Sequence, residues 1–479
     1  SSGTVSGKTT SGVQIVSAGG TAVKTEIDAG GTQQVMSSGT ADSTTLNKGG
    51  VLDLYKGYNL LNFNSGTGSA TLGSSLNGGT EILNAGLSIS NTTIDNGGIV
   101  LRVDSVSAAT ATNIILSSAA AGSSGTLIIS AYGMASGTII NAGGTEIVSS
   151  GGKEQGAVLN NDGEQVVSGG GSGLITTIFG GRQDIEAGGY GSADTVLTGG
   201  QQNIVAGGVG SIGTMDGGTS FIYGTSNSTT SGTGTIAKML NGLQAAAQNG
   251  AVASITDMES GNQVALSGAA IITNMTGGTQ TAVGGGTATI SNMTGGTQIV
   301  SASGVGSVTT MEGGKQTILA GGTGTVSALN SGAQDVYGTA VSTTVNNGGT
   351  QLLQMTGTLS KNVLAGGTQY IEAGASLTAD ASGATTLTTQ AAVISNGTQI
   401  ISGSDGSNGT ATGFILSGTG TTSGVQIVQS YGVAVSTEID AGGTQVISAY
   451  GTAVSAQVNN DGVQKIESSG VASNTEINN

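Results

Sequence analysis

One short pattern recurs along this chain at nearly constant spacing. In its clearest form it reads Met293-Thr294-Gly295-Gly296-Thr297-Gln298-Ile299-Val300: an apolar anchor, a glycine turn, a glutamine and two β-branched residues. It is written again from Met275 to Val283 and from Met311 to Leu319, and more loosely at Met258 to Leu266, Leu329 to Val336 and Leu364 to Ile371. The anchors Met275, Met293, Met311 and Leu329 stand 18 residues apart. Self-similarity with a period near 20 is the mark of a solenoid, in which each repeat is one coil stacked on the next.

The anchor column extends well beyond this run: Ile27, Leu46, Ile94, Ile140, Leu159, Ile178, Leu197, Met215, Met239, Met258, then Val345, Leu364, Ile439, Val458 and Ile477. Six of the nine methionines occupy it, which predicts that they stack on one another inside a narrow core, where a flexible thioether packs well. Most neighbouring spacings are 18 or 19, the difference arising because some anchors are followed by x-Gly-Gly and others, such as Ile27-Asp28-Ala29-Gly30-Gly31, carry one residue more. A glycine turn can absorb that residue without shifting the flanking strands.

The apolar segments are short and β-branched, and no 3.6-residue pattern persists beyond Met239 to Ala247. A coil of about 19 residues then holds three short strands and three turns, and its inward face is covered only by the coils on either side. The fold expected is all-β, a right-handed parallel β-helix, with the hand following the general rule for parallel connections. About 24 such coils at a strand spacing of about 4.8 Å give a rod on the order of 115 Å long. The absence of proline among 479 residues fits, since proline cannot donate to a ladder. The 90 glycines accompany recurrent Val, Ile and Thr rather than proline, which argues for order and not for a disordered chain.

The expectation is therefore a single β-helix over residues 1–479, with irregular insertions or loops near 51–90, 105–125, 223–236 and 375–424. Tyr55, Tyr58, Leu60, Leu61 and Phe63 cluster in the first of these, and Ser402 to Gly409 in the last reads as a protruding loop. Residues 424–479 echo the start: Gly12 to Val16 reappears as Gly424 to Val428.

Two polar columns accompany the anchors. The first is glutamine: Gln33, Gln165, Gln183, Gln202, Gln263, Gln280, Gln298, Gln316, Gln334, Gln351, Gln369, Gln445 and Gln464. Its expected role is an amide ladder, each side chain bonding its copy one coil away; a flat array for sugar hydroxyls is the competing reading. The second column follows the anchor: Asp28, Asn47, Asp95, Asn141, Asn160, Asp216, Glu259, Glu312, Asn330, Asn346, Asp440 and Asn459. Short polar side chains beside glycine turns bond the local backbone, and the same column is also a candidate exposed edge for another rod or for calcium.

Chemistry is sparsely provided. There is no His, Cys or Trp, and the arginines are Arg102 and Arg182 alone, so no catalytic, metal or cofactor residue is nominated and an enzyme is not expected. Gly188 to Asp194 misses the calcium-repeat spacing by one place, and Gly208 to Gly213 matches a phosphate-loop pattern only as 90 glycines would by chance. A net charge of −16 argues against nucleic acid or an anionic membrane as partner. No apolar run is long enough to span a bilayer, and no signal-peptide pattern opens the chain. The last repeat stops partway, so the chain is expected to be a fragment of a longer protein whose signal peptide has been removed. The lack of cysteine suits a chain that crosses an oxidising compartment unfolded.

The coil from Gly19 to Val35, Gly-Gly-Thr-Ala-Val-Lys-Thr-Glu-Ile-Asp-Ala-Gly-Gly-Thr-Gln-Gln-Val, resembles the repeat of AIDA-type self-associating autotransporter adhesins. The resemblance covers about three quarters of the chain and fades at 51–90, 105–125 and 375–424. It implies a β-helix passenger displayed on a Gram-negative cell surface. It also implies homotypic association between cells, aggregation and biofilm formation, with host glycans or proteins as further partners. Some members carry sugars on Ser or Thr. The competing reading from the residues is a carbohydrate-binding or polysaccharide-cleaving β-helix, for which Tyr55, Tyr58 and Phe63, or Tyr431 and Tyr450, are the aromatic candidates.

Overall fold

The structure, a computed structural model, describes residues 12–28, 30–36, 38–46, 51–54, 59–61, 75–83, 88–101, 108–118, 124–225, 231–380, 389–391, 393–394, 396–419 and 421–479. The chain divides into two compact units, Ser1–Gln244 with Gln248–Val252, and Ala245–Ala247 with Ala253–Asn479. Both are all-β parallel solenoids, and no helix occurs among the described residues.

In the first unit a coil is made of the strands Val13–Val16, Thr21–Val23 and Glu26–Ile27. The next coil repeats it in parallel register one turn on, with Gln14 beside Gln33 and Val16 beside Val35. Alternation places Gln33 and Val35 inside and Thr32 and Gln34 outside, as period-two strands require. The anchors form an unbroken column through Ile94, Leu116, Ile140, Leu159, Ile178, Val196 and Met215, each 0 % exposed.

One position differs from the sequence reading. The anchor of its coil is Val196, and Leu197 lies half-buried across from Asp216 and Gly217. The turn after Val196 is the longer type, so counting back from Gln202 along the shorter turn lands one residue late. A one-residue slip of this kind exchanges the inner and outer faces.

In the second unit Met275, Met293 and Met311 lie in direct register, followed by Leu329, Val345 and Leu364. All six expected methionines, four of them in this unit, are at most 1 % exposed. A second run aligns Ile394, Leu416, Ile439, Val458 and Ile477. The turn lengths behave as the glycines predict. Gly296 in the short turn and Gly442 in the long one both take positive φ, 78° and 75°, while the strands on either side keep their pairing.

Several strands are longer than the two to five residues expected. Val305–Ile318 and Thr323–Val336 each run for 14 residues, because inter-coil hydrogen bonding continues around corners. Thr233–Ala246 is likewise a strand, through part of the stretch read as loop and through the one stretch with a trace of helical spacing. Thr110–Thr112 and Ile115–Leu116 sit in register within the stretch 105–125. Tyr55, Tyr58, Phe63 and Arg102 lie outside the described residues.

The second inward strand position is small almost throughout: Ala135, Gly173 and Gly191 in one unit, Ala270, Ala288, Gly306 and Gly324 in the other. The glutamine and the β-branched residue of the first strand already fill that space. A Cβ on Gly306 would stand 2.2 Å from Val300 Cγ2 and 2.9 Å from Gln298 Oε1.

Candidate functional site

The glutamine column is internal. In the second unit each Nε2 donates to the Oε1 one coil before it, from Gln280 to Gln263 (2.8 Å) through Gln298, Gln316, Gln334, Gln351 and Gln369. The ladder then continues through Gln399, Gln426, Gln445 and Gln464 with distances of 2.7–3.0 Å. In the first unit Gln33 donates to Gln14, Gln183 to Gln165 and Gln202 to Gln183. The second amide hydrogen is used as well: Gln298 Nε2 lies 3.1 Å from the Ala288 carbonyl oxygen. Gln263 to Gln445 are at most 1 % exposed, so this column cannot be an array for sugar hydroxyls. It is the amide ladder that the spacing predicts.

Gln14, Gln399 and Gln426 also belong to the column and were missed in the sequence. The spacing of 30 residues from Gln369 to Gln399 and of 27 to Gln426 breaks the period. The ladder is interrupted where other residues take its place. Leu52 follows Gln33, Ser220 follows Gln202, and Gln202 Oε1 is left without a donor.

The column after the anchor lies at a solenoid corner and is partly exposed. In the second unit Asn330 Nδ2 donates to Glu312 Oε1 (2.6 Å) and Asn346 Nδ2 to Asn330 Oδ1 (2.7 Å). Further on, Asn459 Nδ2 donates to Asp440 Oδ1 (2.8 Å) and Asn478 Nδ2 to Asn459 Oδ1 (3.1 Å). In the first unit Asn160 Nδ2 donates to Asn141 Oδ1 (2.7 Å). These two residues, with Ala142, Asn161 and Phe179, line a shallow open recess of about 560 Å³. The turn chemistry expected here is carried by the backbone, as in Gly163 N–H to the Asn160 carbonyl, and frees the side chains to bond from coil to coil. Asp216, Glu259 and Glu312 are exposed; Asn47 lies outside the described residues.

A parallel outward file precedes the anchor, in which Asn292 donates to Asn274 and Asn274 to Asp257. Arg182 pairs with Glu164 and, at 3.0 Å, with Asp184. Tyr431 and Tyr450 stack one coil apart, with centroids 5.4 Å apart and planes 12° from parallel. Gly208 to Gly213 passes into the strand Val209–Ile222 and Asp194 lies on the exposed side of Tyr190–Leu197, so neither forms the loop its motif would need.

Two carboxyls were not anticipated. Glu146 and Glu154 are both 0 % exposed, inside one coil of the first unit. Burial pushes both well above the usual carboxylate range, and Glu154 is pushed further by the facing Glu146. A reading that places charged residues outside could not find them.

Short parallel coils, amide-bonded within and lined outside by repeated polar files, define a parallel β-solenoid. Residues 9–50 match the family model described as AIDA, adhesin of bacterial autotransporter system, probable stalk. Among solved structures it is similar to a TibC-catalyzed hyper-glycosylated fragment of TibA, with 23 % identity over 77 % of this chain and 94 % of that one and a TM-score of 0.21. No curated protein sequence matches it.

Proposed function

We propose that this chain is the surface-displayed passenger of an autotransporter adhesin, exported after loss of a signal peptide. In this reading it joins cells by pairing with a second copy of itself, and aggregation and biofilm formation follow. The observation that carries the proposal is the corner file after the anchor. A side-chain amide has two donor hydrogens and two acceptor lone pairs, and the coil-to-coil ladder uses only part of them. The remainder repeats along the corner at the coil spacing, so an identical file can meet it with donors and acceptors in step. Each contact is weak, and repetition supplies the affinity.

The test is the solution mass of the purified chain across concentration, beside the variant Asn330→Ala/Asn346→Ala. Concentration-dependent dimers that the variant forms at least tenfold less well support the proposal. A strict monomer at high concentration, or identical association by the variant, overturns it.

A second reading, binding of host or bacterial glycans, is favoured by one observation. Tyr431 and Tyr450 are a stacked pair with 38 % and 61 % exposure, and exposed aromatic rings suit sugar C–H faces. Glycan binding lost in Tyr450→Ala and retained in the asparagine variant would favour it over self-association.

A further inference from the structure

The coil from Thr145 to Gly163 breaks both rules of the core at once. Its first strand, Thr145–Val148, carries Glu146 at a position where neighbouring coils carry Leu127 and Gln165. Its second strand, Lys153–Leu159, carries Glu154 where the neighbours have Ala135 and Gly173. Two carboxyl groups thus enter a space that elsewhere holds one amide.

Their bonding is half complete. Glu146 Oε2 accepts from Gln165 Nε2 at 2.6 Å, and Glu154 Oε2 accepts from Thr138 Oγ1 at 3.3 Å. The Oε1 atoms of both have no hydrogen-bond partner. Among the described residues no positive charge faces them. The groups packed against them from the adjoining strands are Leu127, Gln165, Ala135, Gly173 and Thr138. Lys153 points outward, and Arg182 is outside with Glu164 and Asp184. An unpaired buried carboxylate is costly, and two side by side are more so. A proton on one or both is the arrangement that removes the charge and converts an orphaned oxygen into a donor.

We propose that Glu146 and Glu154 form a proton-held clasp inside the first unit, which fastens this coil in an acid medium and loosens it as the medium turns neutral and then alkaline. The sign follows from linkage. The unfolded chain releases these protons near 4.5, whereas burial makes the folded coil keep them longer, for Glu146 to about 7. The folded state therefore binds more protons above 4.5. Its stability is complete below that value and falls as pH rises through the neutral range.

The experiment is native-state hydrogen exchange of Thr145–Val148 and Lys153–Leu159 between pH 5 and 8, corrected for intrinsic exchange. It is run on the whole chain and on Glu146→Gln/Glu154→Ala, which restores the amide at one position and the small residue at the other. In the unaltered chain the opening constant of these strands should rise by about tenfold per pH unit for each proton lost. It should stay level in the variant, and level at Thr297–Val300 in both. If the double variant does not fold, Glu146→Gln alone should reduce the slope. Equal slopes in variant and parent overturn the clasp. So does recovery of protection at pH 8 on adding calcium or sodium, which would make the pair a cation site.

Discussion

Replacing Gln298 by leucine tests the internal amide ladder directly. Leucine has nearly the volume of glutamine, and the column already holds it at Leu52 and Leu127, so little cavity or strain is introduced. The loss is in hydrogen bonds. Gln280 Oε1 loses its donor at 2.8 Å, and Gln316 Nε2 loses its acceptor at 2.6 Å while keeping the Thr325 carbonyl at 3.2 Å. A buried polar group left unpaired costs about 1–3 kcal/mol, and because Gln316 Nε2 keeps one acceptor the two losses together come to about 2–5 kcal/mol. Gln298→Ala should cost about 2 kcal/mol more, because it also opens a cavity. The double variant Gln280→Leu/Gln298→Leu should cost less than the sum of its singles, since both delete the same bond. Solenoids open coil by coil, so the assay is native-state hydrogen exchange of Thr297–Val300 and its neighbours, supported by urea unfolding. A Gln298→Leu effect below about 0.5 kcal/mol, or strict additivity in the double variant, would refute the claim that the ladder stabilises the core.

Backbone geometry gives two further expectations. Tyr132 holds φ at 62° while 62 % exposed, a conformation that costs an ordinary residue about 1–2 kcal/mol, partly offset in glycine by its freer unfolded chain. Tyr132→Gly should therefore raise stability by about 0.5 kcal/mol in urea unfolding. Tyr450→Gly, at nearly the same φ, should not, because it also loses the stack on Tyr431, worth about 1 kcal/mol. Gly424→Ala should lower stability by about 3 kcal/mol, as overpacking does, since its Cβ would stand 1.7 Å from the Ile394 carbonyl oxygen. A melting temperature unchanged by that substitution would contradict it.

The period was legible because coil stacking forces each inward position to repeat. Met275, Met293 and Met311 could be placed from spacing alone, as could the glutamines from Gln280 to Gln351. Position failed where a corner changed length. Val196 was passed over for Leu197, and Gln399 and Gln426 fell outside the count. Strand length was underestimated for a different reason. Glycine pairs such as Gly313-Gly314 read as interruptions, yet in a solenoid they sit within the continuous strand Val305–Ile318. The corner file was seen as turn chemistry, but its coil-to-coil bonds join residues 16 to 19 apart and are invisible to local rules. Glu146 and Glu154 were illegible in principle, since a lone carboxylate reads as surface unless its column is known to be internal.

The two long coils that interrupted the count have a practical meaning. Between Gln399 and Gln426 the chain spends 27 residues where 19 suffice between Gln426 and Gln445, yet the amide bond across each interval is made, at 2.8 and 2.7 Å. Part of the surplus is spent at the corner after Ile401, where Ser404 and Ser407 close a small antiparallel hairpin, and part between Leu416 and Gly424. Corners are thus open addresses: peptide spliced into Ser404–Ser407 is expected to leave the rungs beneath it in place, as the extra residues already there do. A protein built this way can acquire new surface loops by insertion while its scaffold stays constant, and the same property makes it a frame for presenting grafted epitopes.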